Sequence, residues 1–207
     1  MIRTDRNFSE AVERAVREAE RGTAAELIVV VARRSGSYLD VALSVGAAAA
    51  MATLLVALFA PAAFPPLAVA IEVPAVFAFA AWLANRTPRL LRTLTPVSRL
   101  RSQVERAAAE HVLAEAVHGT RQRPGLLVYL SLLEEAVALV PDLGLEGRLP
   151  SAWWSEVGWS EGGEPTRPRT QEDVLRGIAA VGAILKARVP SDGTDVNEAP
   201  DAPRIVP

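Results

Sequence analysis

His111, Glu115 and His118 stand four and three residues apart, a spacing that places all three on one side of a helix. Imidazole and carboxylate so arranged can ligate zinc or another divalent cation, with a further ligand brought from elsewhere. The plainer account makes His111 a satisfied residue on a sheet face and His118 a helix C-terminal residue favoured by the macrodipole. A second set is acid–base in character. Asp142 follows one apolar run and Glu26 begins another, and carboxylates at strand ends can meet in a crevice of an α/β sheet. A carboxylate beside His118 would favour the charged imidazole, so that His118 and Asp142 could serve as acid and base or hold a cation. Glu26 joins them only if the strand order allows it. Their plainer readings are a turn-forming Asp142 and a solvated or helix-capping Glu26.

Other chemistry is thinly represented. The chain has no cysteine, which excludes disulfides, thiolate metal sites and cysteine nucleophiles and fits a reducing compartment. Its only lysine is Lys186, and no glycine-rich phosphate loop accompanies it, so nucleotide hydrolysis of the usual kind is unsupported. Ser35-Gly36-Ser37 lacks the strand-turn-helix context of a nucleophile elbow and reads as a polar connector. No cofactor motif is visible; a divalent cation is the one ligand these side chains would take. A net charge of −2 without a basic stripe argues against nucleic acid.

The elements that must position these residues follow from periodicity. Asn7 and Glu10 have the spacing of a capping box, and Phe8, Val12, Val16 and Ala19 recur at helical intervals up to a stop at Gly22. Leu27 to Val31 is a β-branched run without polar alternation, as in a strand covered on both faces. Val97 to His118 returns to a helical pattern, with Leu100, Val104, Ala107, Ala108 and His111 on one face. Gly125–Leu130 and Ala136–Val140 read as a hairpin, although Leu132 to Val140 alone also fits a helix. Pro150 to Val157 is a short helix candidate carrying Trp153 and Trp154. Thr170 and Asp173 cap a final helix through Leu185, and the acidic, proline-containing stretch 191–207 has little to bury and is expected to be disordered.

Between the first strand and the next helix lies a different kind of sequence. Val41 to Ala60 carries no charge for about twenty residues, the length needed to cross a hydrocarbon core of roughly 30 Å. Pro61, Pro65 and Pro66 make a turn, and Leu67 to Leu83 forms a second apolar run with Trp82 at an interfacial position. Glu72 interrupts it, a functional suspect inside a membrane but close enough to the loop to reach the interface. Arg33 and Arg34 precede the hairpin, Arg86, Arg89 and Arg92 follow it, and the loop is uncharged. The positive-inside rule then places both polar flanks and both termini in the cytoplasm, with the arginines on anionic headgroups. The organisation expected is a discontinuous α/β domain (1–38 plus 96–190), a transmembrane hairpin (39–85), a basic interfacial linker (86–95) and the tail (191–207).

Glu20-Arg21-Gly22-Thr23-Ala24-Ala25-Glu26 before the valine strand, Thr120, the strand Gly125–Tyr129, the strand Ala136–Val140 and the turn Asp142-Leu143-Gly144-Leu145 together resemble the TPM domain family. The resemblance covers 7–38 and 96–189. It implies a three-layer α/β sandwich with a small mixed sheet, interrupted here by the membrane hairpin, in a bacterial inner-membrane protein. Known relatives include thylakoid lumen proteins with reported acid phosphatase activity and a role around photosystem II repair. Arg123-Pro124 replaces the family's usual acidic or asparagine residue before the strand glycine, so phosphatase activity is not carried over. The function expected is a non-enzymatic module that binds a membrane protein or assembly factor at the bilayer. The alternative is a phosphatase-like hydrolase.

Overall fold

The computed structural model describes residues 2, 4–61, 64–114, 124–142, 144–145, 148–149, 153, 157, 159–161, 164–165, 168, 170–191 and 201–206. The chain runs α1 (Arg6–Glu20), β1 (Glu26–Ala32), α2 (Leu39–Phe59), α3 (Pro66–Arg86), α4 (Pro88–Leu94), α5 (Val97–Ala114), β2 (Gly125–Ser131) and β3 (Ala136–Pro141). Two short strands follow, β4 (Ser160–Glu161) and β5 (Glu164–Pro165), then α6 (Gln171–Arg188) and β6 (Arg204–Val206). These elements divide into two compact units, one made of 1–35 and 101–207, the other of 36–100.

The first unit is built on a four-stranded sheet of order β3-β2-β1-β6, in which β1 runs parallel to β2 and β6 and β2 runs antiparallel to β3. Residues alternate across a strand, so β1 serves two cores at once. Leu27, Val29 and Val31 meet Phe8, Val12 and Val16 of α1 and Val174, Ile178 and Val181 of α6. Val30 and Ala32 turn the other way, with Leu127 and Tyr129, to meet Val104, Ala108 and Val112 of α5. Helices on both faces of a mixed sheet make the three-layer α/β sandwich.

Local signals set the boundaries, and two of them differ from expectation. The first helix is capped by Asp5, whose carboxylate accepts the Phe8 N–H at 3.0 Å, two residues ahead of the capping box expected at Asn7. Asp5 sits three residues before Phe8, and so reaches a free N–H of the first turn. The second difference is the tail. Part of the stretch expected to be disordered forms β6, because Ile205 and Val206 suit an extended edge and the backbone groups on the outer side of β1 require partners. Pro150 to Val157 lies largely outside the described residues. At α6 the expected Thr170–Asp173 capping box is present in both directions. Leu132–Glu135 is a turn, with Glu135 at φ 50°, and this makes Gly125 to Pro141 a hairpin.

The second unit contains α2 and α3, which pack closely where Gly46 faces α3. A Cβ at Gly46 would lie 2.7 Å from the Phe77 carbonyl oxygen and 2.9 Å from the Ala81 Cβ. Small residues that let backbones approach are the usual device where helices associate in lipid. Proline at Pro88 opens α4, and Thr95, whose hydroxyl donates to the Leu91 carbonyl at 2.7 Å, closes it before Pro96.

The contact between α1 and α6 depends on Gly182, where a Cβ would fall 2.6 Å from both the Cα and the Cβ of Ala19. Backbone cannot yield as a flexible side chain does. Gly182→Leu should therefore destabilise the protein by about 3 kcal/mol in urea or thermal unfolding. Ala183→Leu, one residue on at an exposed position, should change stability by less than about 0.5 kcal/mol. Equal stability of the two variants would contradict this packing.

Candidate functional site

Two groups of polar side chains lie on the sheet face that α5 covers, one at each end of the parallel strands. At the starting end, Glu26 is in register with Gly125, and its N–H donates to the Pro124 carbonyl at 2.9 Å. The Asp142 N–H donates to the Gly125 carbonyl at 2.9 Å, so Glu26 and Asp142 flank β2 on the same row. Strand alternation points both toward the α5 face, about 10 Å apart at two strand spacings. Both are buried, Glu26 at 1% exposure and Asp142 at 7%. Asp142 closes the turn after β3: its Oδ1 accepts the Leu145 N–H at 3.1 Å.

The remaining members of the expected sets fall elsewhere. Glu115 and His118 lie outside the described residues, and with them the His118–Asp142 pair and two of the three ligands in the His111, Glu115, His118 set. His111 packs its ring on Tyr129, with centroids 5.3 Å apart, and its buried Nδ1 has no hydrogen-bond partner among the described residues. Among those residues no three His, Cys, Asp or Glu side chains gather as a metal site.

The opposite end holds a cluster that sequence reasoning passed over. Glu134, 2% exposed in the turn between β2 and β3, accepts the Ser35 N–H at 3.0 Å with one carboxylate oxygen and the Ser131 hydroxyl with the other. The Ser35 hydroxyl in turn donates to the Tyr129 hydroxyl at 3.2 Å. Burial pushes the Tyr129 phenol above its usual range. The hydrogen bond from Ser35 works against that rise, and the negative charges of Glu134 and Glu110 add to it. These residues come from a connector, a strand and a turn that are up to 99 positions apart in sequence. The one available signal was a pair of glutamates, Glu134 and Glu135, inside an otherwise apolar run at Leu132 to Val140.

Chemically, this cluster is spent on the chain itself. Ser131 has a carboxylate beside its hydroxyl but is 0% exposed, out of reach of a substrate. Ser35 is more accessible, yet its hydroxyl donates to a phenol and not to a base. What Glu134 does is fix Ser35, the last residue of the first unit, against the end of β2. Separately, a cavity of about 290 Å³ runs along β3, lined by Val137–Val140, Trp153, Trp159 and Glu105.

The second unit presents two long apolar helices with largely exposed surfaces. Only 17% of the most apolar window of α2 and 6% of that of α3 is buried. Both helices are 21 residues long, enough to cross a membrane. Arg86 at the end of α3 and Arg89 in α4 are exposed, as are Arg33 and Arg34 of the first unit, while Arg92 is half-buried. Arg86 lies over the Trp82 ring at 5.5 Å. Arg99 is engaged otherwise: its guanidinium holds both Asp40 oxygens at 2.6 and 2.9 Å and stands over the Tyr38 ring.

No family model matches the chain, and no curated protein matches it. Among solved structures, the NMR structure of BA42 protein from the psychrophilic bacterium Bizionia argentinensis is similar in fold. The match has a TM-score of 0.53 at 12% identity and covers 97% of this chain and 94% of BA42.

The raised Tyr129 pKa has a consequence at alkaline pH. A protonated phenol favoured by the fold contributes stability that is complete below the unfolded value of about 10 and is lost as pH rises through the higher folded value. Unfolding of the native chain should therefore become easier from about pH 10 upward, and Tyr129→Phe should reduce that alkaline loss. Denaturant midpoints measured between neutral pH and pH 11 check this; identical alkaline slopes for the two proteins would contradict it.

Proposed function

We propose that the protein is a membrane-anchored, TPM-like domain that acts as a non-enzymatic interaction module at the cytoplasmic face of a bacterial inner membrane. The observation that carries this reading is the use to which two of the three buried acids among the described residues are put. Glu134 binds a backbone N–H and a buried serine, and Asp142 closes a turn. Carboxylates so occupied hold a scaffold in place and offer little to a reacting group. The fold similarity to BA42 supports the three-layer domain and carries no activity.

Anchoring is supported by two lipid-length helices with outward-facing Met51, Leu55, Leu58, Phe59, Leu67, Ile71 and Phe79. Exposed Arg86 at the end of α3 and Arg89 in α4 suit anionic headgroups, and with Arg33 and Arg34 they orient the hairpin with its loop outside. A membrane protein or assembly factor close to the bilayer is the partner this placement fits. The second reading, a phosphatase-like hydrolase, draws on the row Glu26–Gly125–Asp142, where two buried carboxylates share one sheet end.

Single cysteines at Glu10, Phe64 and Ala202 test the topology, because the chain has none of its own. An impermeant maleimide applied to intact cells should label only Phe64→Cys; labelling of Glu10→Cys would reverse the orientation. Phosphomonoester hydrolysis by the detergent-solubilised protein should stay at background with Mg²⁺, Ca²⁺ or Zn²⁺. Metal-dependent turnover abolished by Asp142→Asn would establish the hydrolase instead.

A further inference from the structure

The cavity of about 290 Å³ is lined by four consecutive residues of β3, Val137 to Val140. Neighbours in a strand point to opposite faces, so a space that touches all four lies beside the strand and not above or below it. It therefore runs along the outer edge of β3, the end strand of the sheet order β3-β2-β1-β6. Register decides which backbone groups meet it. The Asp142 N–H donates to the Gly125 carbonyl, so Val140, Ala138 and Ala136, which stand opposite Leu127, Tyr129 and Ser131, are the residues that exchange hydrogen bonds with β2. Val137 and Leu139 turn their N–H and C=O groups outward, and among the described residues no strand pairs with them. Pro141, which has no N–H, ends the row.

The two walls differ in chemistry. Val137 and Leu139 lie with Trp153 and Trp159 on the face that α1 and α6 cover. Trp159 is held in place there: its indole N–H donates to the Asp173 carbonyl at 3.2 Å, and Gly177 leaves room for a ring with which a Cβ would collide. Ala138 and Val140 lie on the α5 face, where the cavity is bounded by Glu105, an exposed carboxylate with no ion pair among the described residues. One wall is apolar and rigid, the other negative. The edge itself is unprotected, since Ala136 to Val140 has no charge, no proline and no bulge in its pairing with β2. A half-buried strand of that composition is a template for another strand unless something covers it.

We propose that the outer edge of β3 is a strand-acceptor site for an extended segment of a partner protein that reads apolar, basic, apolar. This names the partner chemistry of the interaction module and rests on that reading. The Val137 and Leu139 backbone groups supply the ladder, and the walls supply choice, which is recognition by strand addition. Successive side chains of an added strand alternate between the faces, so two apolar ones on the tryptophan side flank one on the Glu105 side. Charge complementarity makes that central residue lysine or arginine. A second copy does not fit. Its own β3 has no basic residue and would leave Glu105 unmatched.

Fluorescence anisotropy on the full chain in detergent tests this with labelled heptapeptides. The first carries valine, arginine and valine at its centre, the second has glutamate in place of the arginine, and the third is the first with N-methyl groups on the central residues. The first should bind saturably and the second several-fold more weakly. The third should lose at least about tenfold, because methylation removes the donors that face β3. Glu105→Arg should reverse the order of the first two. Val137→Pro removes an outward N–H and spares the ladder to β2, a change that edge strands tolerate, and should also weaken the first peptide. If that variant does not fold, the methylated peptide and Glu105→Arg decide. Absence of saturable binding, or binding indifferent to methylation and to Glu105→Arg, would overturn the acceptor edge. Dimerisation lost in Val137→Pro, without peptide binding, would give the edge to a second copy and overturn it too. Metal-dependent phosphomonoester turnover would instead overturn the non-enzymatic reading, whatever the peptides do.

Discussion

The parallel pairing of β1 with β2 is the constraint on which the molecule depends. All seven residues from Glu26 to Ala32 are in register with Gly125 to Ser131, and the side chains of β1 supply both apolar cores. Between the two strands lie Arg33 to Pro124, ninety-two residues that include both bilayer-length helices. Closure entropy grows slowly with loop length, so tripling an ordinary crossover of about 30 residues adds only about 1 kcal/mol. A single fully buried leucine or valine offsets that. The domain can therefore carry a large insertion in its central connection without losing its fold.

Satisfying the polar groups around that pairing explains where the acids went. The Ser35 N–H, just past the end of β1, is taken by Glu134, and the turn beyond β3 is closed by Asp142. Buried backbone donors left without partners cost about 1–3 kcal/mol each, and a buried carboxylate that receives two hydrogen bonds meets the same need from the other side. Asp142, a chemical candidate in the sequence, is here also a structural tie, and it shares one sheet end with the buried Glu26.

The parts legible in the sequence were those in which one local signal dominates. Long apolar runs, uncharged from Val41 to Ala60 and broken only by Glu72 from Leu67 to Leu83, marked α2 and α3, a β-branched run marked β1, and the Thr170–Asp173 pair marked the start of α6. Leu132 to Val140 was ambiguous by periodicity, and tertiary pairing with β2 made it a turn and a strand. Two features were beyond a local reading. A three-residue strand such as β6 is recognisable only once the edge it completes is known. The Ser35, Tyr129, Ser131, Glu134 cluster joins ordinary residue types over long separations, and only the fold brings them together. Glu26 and Asp142 were legible as acids at strand ends, but their common face followed from strand order.

The central claim is that β1 and β2 make one domain across the insertion, independent of the two long apolar helices. Replacing Leu39–Arg86 by a short Gly/Ser linker and following amide hydrogen exchange measures this directly. The account predicts a water-soluble protein in which the amides of Val29, Val30 and Val31 and of Leu127, Val128 and Tyr129 are strongly protected and are lost together on global unfolding. Rapid exchange at β1 while β2 and β3 stay protected would contradict it.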